Sequence, residues 1–227
     1  MTTALPMAEQ FTGLYDPDGR LRRLSPTMCD QQKRCDAKAG FVYDLGLRKP
    51  PSRPAAVGSA VDEGCRAGWA AALKGSSLTP TEVAALAVAH YDALAAAPGG
   101  IAWGEVRAHT GQRKDRARVA RLAETVWEEK GRALLPAAAV PPQSEIDVHL
   151  ASGLVFRCHV DFVEEEPDGG TLRVWDLKTA YRPWAPRREL DQRQAIFYPW
   201  AVGLVAAPRV VTGMSFLVVS DDESGAR

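Results

Sequence analysis

An aspartate and a lysine, two residues apart at the end of an apolar run, are the first candidates for chemistry in this sequence. Residues 174–180 read VWDLKTA, which has the composition of a β-strand. Successive strand residues point to opposite faces, so Asp176 and Lys178 share a face, with their Cα atoms roughly 6.5 Å apart. The pair is either an incidental ion pair at a solvated strand end or a metal ligand with a catalytic lysine beside it.

A predicted β-hairpin brings a second aspartate next to the first. Residues 164–170 read EEEPDGG, and Asp-Gly between two strands favours a tight hairpin turn. If Asp168 and Gly169 form the centre of the turn, Asp161 lies directly opposite Asp176, with Cβ atoms about 4.5–5.5 Å apart. A turn of four residues with the same centre keeps this pairing.

The same register pairs apolar residues with apolar residues. It places Val163 opposite Val174, Phe162 opposite Trp175 and Val160 opposite Leu177. An odd-length turn without a bulge would break this agreement.

Two carboxylates that face each other need a compensating positive charge, because like charges directly opposite destabilise a strand pair. Mg²⁺ is typically held by one or two carboxylates, with waters and substrate phosphates completing its shell. Lys178 would then lie beside the ion, where it could act on a water molecule or a phosphate oxygen. Together, Asp161 and Asp176 therefore predict a divalent metal site.

Helices are expected ahead of the hairpin. Ser25 before Pro26 and the capping box from Thr79 to Glu82 mark two helix starts, and Gly75 marks a helix end. The predicted helices cover residues 26–40, 57–73, 80–97 and 113–135, with a loop at 49–54.

Strands are expected after Pro141 and Pro142. They cover residues 144–150, 154–163, 171–180 and 210–219, with one more helix at 190–206 that Pro199 should kink or interrupt. The order predicts an α/β or α+β fold with a mixed sheet. We expect a single domain over residues 1–227, with a helical part at about 25–140 and a sheet core at about 143–220.

Charge gives no overall attraction to nucleic acid, because 28 Lys and Arg residues balance 28 Asp and Glu residues. Any such partner must be held by a local patch. One basic stretch within residues 102–121 is either a solvated helix face or a phosphate contact; it comprises Arg107, Arg113, Lys114, Arg116, Arg118 and Arg121. A second patch, with Trp184 between Arg182 and Arg187, suits single-stranded nucleic acid through stacking and phosphate contact.

Membrane and secretory signals are absent from the sequence. No apolar run approaches the roughly 18 residues of a membrane span, and the first residues lack a basic segment followed by an apolar core. We therefore expect a cytoplasmic protein with no membrane partner. Cys29, Cys35, Cys65 and Cys158 form no C-x-x-C pair and match no zinc spacing.

Asp161 followed by Asp176, Leu177 and Lys178 resembles the motif of the PD-(D/E)XK nuclease superfamily. The wider pattern is similar to its RecB-like branch, which includes CRISPR-associated and phage exonucleases. Two further pairs of residues agree with that branch: Ser25 with Cys35, and Gln194 with Tyr198 in a Q-x-x-x-Y motif. Gly58 matches a glycine of the branch, and Asp62 lies four residues on, where the branch has a histidine. The resemblance implies a restriction-endonuclease-like core, a mixed β-sheet flanked by helices, to which a helical segment is added.

The resemblance also implies roles for these residues. Asp161, Asp176 and the carbonyl of Leu177 would bind metal, and Lys178 would orient or activate the attacking water. Asp62 stands where the family has a metal-binding histidine and can still bind a hard cation. Gln194 and Tyr198 would position the substrate strand.

We accordingly expect a DNA exonuclease that hydrolyses phosphodiesters by metal-activated water, in DNA recombination, repair or phage DNA processing. One or two Mg²⁺ or Mn²⁺ ions would serve as cofactor. The iron–sulfur members of the branch carry three cysteines near the C-terminus, whereas no cysteine follows Cys158 here. No iron–sulfur cluster is therefore expected. The partner would be DNA, single-stranded or at duplex ends, and a homo-oligomer or a recombination partner protein remains open. The alternative is a non-catalytic member of the same fold that binds nucleic acid or protein.

Overall fold

The structure is a computed structural model that describes residues 23–29, 49–104, 108–134, 136–138, 140–150, 155–167, 169–181, 184 and 193–221. The chain divides into two compact units. One comprises Met1–Lys49 and Glu145–Cys158, and the other comprises Pro50–Ser144 and His159–Arg227. The single domain expected from the sequence remains a prediction.

The smaller unit contains a three-stranded sheet. Its strands are β1 (Arg23–Leu24), β2 (Ser144–His149) and β3 (Val155–Val160), in the order β1-β3-β2, with β1 parallel to β3. As predicted, Ser25 begins a helix, because its hydroxyl oxygen accepts a hydrogen bond from the Met28 N–H at 3.2 Å. Residues 26–29 are helical, and the rest of the helix expected up to residue 40 lies outside the described residues.

In the larger unit, helix α1 spans Arg53–Leu73 and begins four residues before the predicted start. The prediction of a loop at 49–54 was therefore wrong for its last two residues. Ser52 caps the helix by accepting a hydrogen bond from the Ala55 N–H at 3.4 Å, and a proline is well tolerated in the first turn. Gly75, with φ of 76°, ends the helix as predicted.

Two more helices complete the helical part of this unit. Helix α2 (Pro80–Ala96) has the predicted capping box, in which Thr79 and Glu82 each accept a hydrogen bond from the other's N–H, at 3.2 and 2.7 Å. Helix α3 (Ala108–Glu129) begins five residues before the start and ends six residues before the end of the helix predicted at 113–135, and a short 3₁₀ helix, Gly131–Ala133, follows it.

The second sheet is mixed, as expected. Its strands are β4 (Phe162–Glu165), β5 (Thr171–Ala180) and β6 (Val210–Ser220), in the order β4-β5-β6. Strand β4 is antiparallel to β5, and β5 is parallel to β6. The crossover from β5 to β6 includes helix α4 (Gln194–Val205), which continues through Pro199 instead of breaking there.

The predicted hairpin register is confirmed. Phe162 pairs with Trp175 and Val163 with Val174. The Glu166 N–H donates to the Thr171 carbonyl at 3.0 Å, so the loop covers residues 167–170 and is centred as predicted. Gly169 has φ of 67°, which glycine adopts without strain, while Asp168 lies outside the described residues.

The expected continuous strand at 154–163 is wrong, because the chain bends at Asp161 and divides it into β3 and β4. The ladder ends at the pair of Phe162 and Trp175, so neither the predicted pair of Asp161 and Asp176 nor that of Val160 and Leu177 forms. Instead, the Leu177 N–H donates to the Asp161 carboxylate at 2.9 Å. A side-chain acceptor thus replaces a strand carbonyl at this point.

Helices α1, α2 and α3 and the second sheet share one apolar core. Trp69 of α1 stacks on Phe162 at 4.4 Å between ring centroids, and its indole N–H donates to the Gly131 carbonyl at 2.9 Å. Other fully buried core residues are Val57, Val61, Val83, Tyr91, Val119, Leu122, Val126, Leu217 and Val219. Within the described residues, no helix has both the length and the apolar character that crossing a bilayer requires.

Candidate active site

Three aspartates from three different elements of the larger unit lie close enough to interact electrostatically. Asp62 comes from the middle of α1, Asp161 from the bend before β4, and Asp176 from β5. The Asp161 carboxylate accepts the N–H of Leu177, which places it beside the strand segment that carries Asp176. Asp176 is only 1% exposed.

Burial and mutual repulsion disfavour the charged form of these carboxyl groups. Burial first, and then the charge of Asp176, raise the pKa of Asp62 to about 7. Burial and the charges of Asp62 and Asp176 hold the pKa of Asp161 well above its usual value. Burial also raises the pKa of Asp176, and Lys178 opposes this increase. The cluster therefore stabilises an added positive charge.

Lys178 supplies part of that charge. Its ammonium group forms an ion pair with the Asp176 carboxylate, which confirms that the two side chains share a face. The Lys178 side chain is 28% exposed and the Asp176 side chain 1%, so Lys178 lies between the buried Asp176 and solvent.

Gln143 belongs to this site, although no sequence signal pointed to it. Its side-chain amide donates to Asp62 Oδ2 at 2.6 Å, and its backbone N–H donates to the Asp161 carbonyl at 2.9 Å. Its φ of 60° is left-handed, a conformation that is uncommon for a residue other than glycine and recurs at functional sites. The residue thus links two of the three aspartates through one strained backbone position.

The chemistry of these residues fits a hard divalent cation. All the donors are oxygens, which Mg²⁺ and Mn²⁺ prefer. Asp62 Oδ1 is buried without a hydrogen-bond partner, an arrangement that is costly unless a ligand completes it. No three His, Cys, Asp or Glu side chains of the described segments are arranged as a ready metal-binding group. At Asp176, the ammonium group of Lys178 occupies the position next to the carboxylate that a metal ion would take.

The predicted substrate residues fall in three places. Gln194 and Tyr198 lie one turn apart on α4, where the Gln194 amide donates to the Tyr198 hydroxyl at 2.9 Å. Trp184 packs on Phe216 at 5.3 Å between ring centroids. Phe216 is the register partner of Asp176, so Trp184 lies on the face of the sheet that carries Asp176. Arg182 and Arg187 lie outside the described residues.

A mixed sheet with Asp-x-Lys on its central strand and a second aspartate at the adjoining hairpin is the architecture of restriction-endonuclease-like nucleases. The family model of the PD-(D/E)XK nuclease superfamily matches residues 23–225, and the chain belongs to that superfamily. Membership implies a nucleic-acid substrate and divalent-metal chemistry. Comparison with curated proteins finds no match.

Proposed function

We propose that the chain is a Mg²⁺- or Mn²⁺-dependent DNA exonuclease of the RecB-like branch, acting in recombination, repair or phage DNA processing in the cytoplasm. One observation carries the proposal: Asp62, Asp161 and Asp176 interact electrostatically, Lys178 is paired with Asp176, and Asp62 Oδ1 is buried without a hydrogen-bond partner. Family membership supports it independently. The Q-x-x-x-Y pair on α4 is the feature that favours the RecB-like branch.

The ion would be held by Asp62, Asp161, Asp176 and the carbonyl oxygen of Leu177. When bound, it would stabilise the negative charge that develops on the attacking and leaving oxygens of a phosphodiester. Gln143 fixes Asp62 through Oδ2 and leaves Oδ1 available. The Leu177 N–H fixes Asp161 in the same way.

Lys178 orients the attacking water. Its ammonium group is an N–H donor at the partly exposed edge of the cluster, within hydrogen-bonding reach of Asp176. Such a donor can hold a water oxygen or a phosphate oxygen in place for the reaction. Gln194 and Tyr198 would position the substrate strand.

Digestion of end-labelled DNA over a metal titration tests the proposal. We expect linear or single-stranded DNA to be cleaved with Mg²⁺ or Mn²⁺ and not with EDTA, and the product ladder gives the polarity. Asp161→Asn, Asp176→Asn and Lys178→Met should each lower the rate at least about 100-fold. Asp92→Asn, at a half-buried residue paired with Arg116, and Lys74→Met, at an exposed residue, are control changes outside the cluster. Linear, nicked and single-stranded DNA that all stay intact with both metals would contradict the proposal.

A second candidate is a member of the superfamily that binds nucleic acid without cleaving it. It is favoured by the lack of a ready three-ligand metal group among the described residues and by Asp62 at the position of the family's histidine. Calorimetry separates the two. DNA binding with no heat of metal binding, and no effect of Asp176→Ala on that binding, would favour this candidate.

A further inference from the structure

An exposed aromatic side chain lies directly after the strand that carries Asp176 and Lys178. Tyr181 is the first residue beyond β5, which ends at Ala180, and it is 54% exposed. The guanidinium carbon of Arg118 lies 3.8 Å from the centroid of its ring, so a cation covers one ring face. Over half of the side chain is exposed although this face is covered.

Arg118 is itself held from several sides. Its Nε forms an ion pair with Asp221 at 2.7 Å, and Nη2 donates to the Ala180 carbonyl at 3.4 Å. Arg121 contacts the other oxygen of Asp221 at 2.5 Å. These contacts tie α3 to the carboxyl ends of β5 and β6, which are adjacent parallel strands.

The charge of Arg118 is therefore already compensated by Asp221, so Arg118 serves to hold the Tyr181 ring in place and not to bind phosphate. A guanidinium group that bound phosphate would have its N–H donors turned to solvent, whereas the Arg118 side chain is only 11% exposed. The result is a flat ring in a fixed orientation, and fixing it in advance lowers the entropy cost of binding another flat group.

The position of this ring limits what it can bind. Tyr181 follows Lys178 by three residues, roughly 10 Å along an extended chain. The exposed cation Lys114 lies one helical turn before Arg118 on the same face of α3, where it can attract a phosphate. A solvent-facing aromatic next to a cation is the arrangement by which proteins stack unpaired bases and hold the adjoining backbone.

We propose that Tyr181 is a stacking platform for an unpaired nucleobase of the strand that enters the active site. The substrate at this position is thus single-stranded nucleic acid, or the frayed end of a duplex. Bases inside a duplex are already stacked and do not present a free face. This inference deepens the proposed nuclease function and rests on it for the identity of the strand.

Binding measured without metal tests the platform separately from cleavage. Fluorescence anisotropy in EDTA would compare the full chain and its variants on labelled single strands of about 12 nucleotides and on blunt duplexes. Tyr181→Ala should weaken single-strand binding roughly 5- to 150-fold, the range that one stacked base contributes. Tyr181→Phe keeps the ring and should bind within about twofold of the wild type.

A scan with one abasic nucleotide adds a readout that a structural role would not change. Moving the abasic position along the oligonucleotide should reveal one position that weakens wild-type binding and has no further effect in Tyr181→Ala. Leu86→Ala, which removes an exposed apolar side chain from α2, is the matched control and should leave binding unchanged. Thermal unfolding would verify that each variant is folded.

Three results would overturn the inference: a folded Tyr181→Ala with wild-type affinity, equal weakening on blunt duplex, or no binding of single strands by the wild type. These results are distinct from failure of the proposed function. If the wild type cleaves DNA and Tyr181→Ala binds single strands as the wild type does, only the proposed platform is contradicted. If the wild type binds single strands through Tyr181 and does not cleave them, only the proposed nuclease activity is contradicted.

Discussion

Gln143 positions two aspartates of the site but is not itself a proposed metal ligand. Its amide leaves Asp62 one free oxygen, and its backbone holds the Asp161 carbonyl. Loss of a residue that orients a metal ligand in this way typically lowers metal affinity about 10- to 100-fold. The sequence could not reveal it, because a glutamine after two prolines has no distinguishing pattern and the contact spans 81 positions.

Gln143→Gly separates the side-chain contact from the backbone strain. Glycine adopts φ near 60° readily, so we expect the variant to fold at least as stably as the wild type. Without the amide, Mn²⁺ affinity should fall about 10- to 100-fold in calorimetry. Gln112→Gly, on α3, serves as a glutamine control that should leave the affinity unchanged. Wild-type metal affinity in Gln143→Gly would mean that Asp62 needs no orienting partner.

Asp62 makes the metal-free protein sensitive to pH. Its pKa is about 7 in the fold against 3.8 ordinarily, so the folded chain binds more protons than the unfolded chain between these values. The stability from this group is therefore full below about pH 4 and is lost as the pH rises through 7. In EDTA, the melting temperature should fall between pH 5 and pH 7.5, and Asp62→Asn should reduce that fall.

Metal should reverse the effect at pH 7.5, where a cation replaces the missing proton. Mn²⁺ at 100 times its dissociation constant stabilises a folded state by about 2.7 kcal/mol. Asp92→Asn should keep the wild-type dependence on pH, because Asp92 is paired with Arg116 and lies outside the aspartate cluster. An identical pH dependence in Asp62→Asn and the wild type would show that Asp62 is not the titrating group.

At the scale of elements, the sequence predicted the features that depend on neighbouring residues and missed those that depend on contacts between distant residues. The capping box at Thr79 and the Asp-Gly turn fixed one helix start and one strand register, because both depend only on neighbouring residues. The bend at Asp161 escaped prediction because the hydrogen bond that accompanies it comes from the Leu177 N–H, 16 positions away. The stacking of Tyr181 on Arg118 depends on α3 and β5 meeting, which periodicity alone cannot specify.

The helices of the larger unit approach each other through small residues. A Cβ atom at Gly64 of α1 would lie 2.7 Å from the Val83 carbonyl oxygen and 2.8 Å from the Ala87 Cβ. Backbone cannot yield to that contact as a flexible side chain can, so Gly64→Ala must push α1 and α2 apart. We expect a loss of about 1–3 kcal/mol in the free energy of unfolding, measured with urea.

Gly203 of α4 is the matched control for that substitution. A Cβ atom there would meet only Val211 Cγ2, at an ordinary 3.8 Å. Gly203→Ala should therefore be neutral or stabilise the protein by up to about 1 kcal/mol, because alanine favours a helix more than glycine does. Equal effects of the two substitutions would show that helix propensity, and not the contact between α1 and α2, determines the change in stability of Gly64→Ala.

The whole molecule carries no net charge, with 28 basic and 28 acidic residues. Its attraction to a polyanion must therefore come from the distribution of charge. The exposed cation Lys114 lies one helical turn before Arg118, the residue of α3 that contacts the Tyr181 ring. Phosphate contacts release counterions and make affinity fall with salt, whereas base stacking does not. The two contributions can therefore be measured separately on one protein.

Lys114→Gln and Tyr181→Ala should weaken single-strand binding in different ways. Removing one phosphate contact should reduce the slope of log affinity against log salt by about 0.7. Tyr181→Ala should lower affinity at every salt concentration and keep the wild-type slope, because the ring is neutral. Lys74→Gln, an exposed lysine beyond the end of α1, should alter neither. If Lys114→Gln kept the full slope, α3 would be a solvated helix face, and the strand would have to reach Tyr181 along another path.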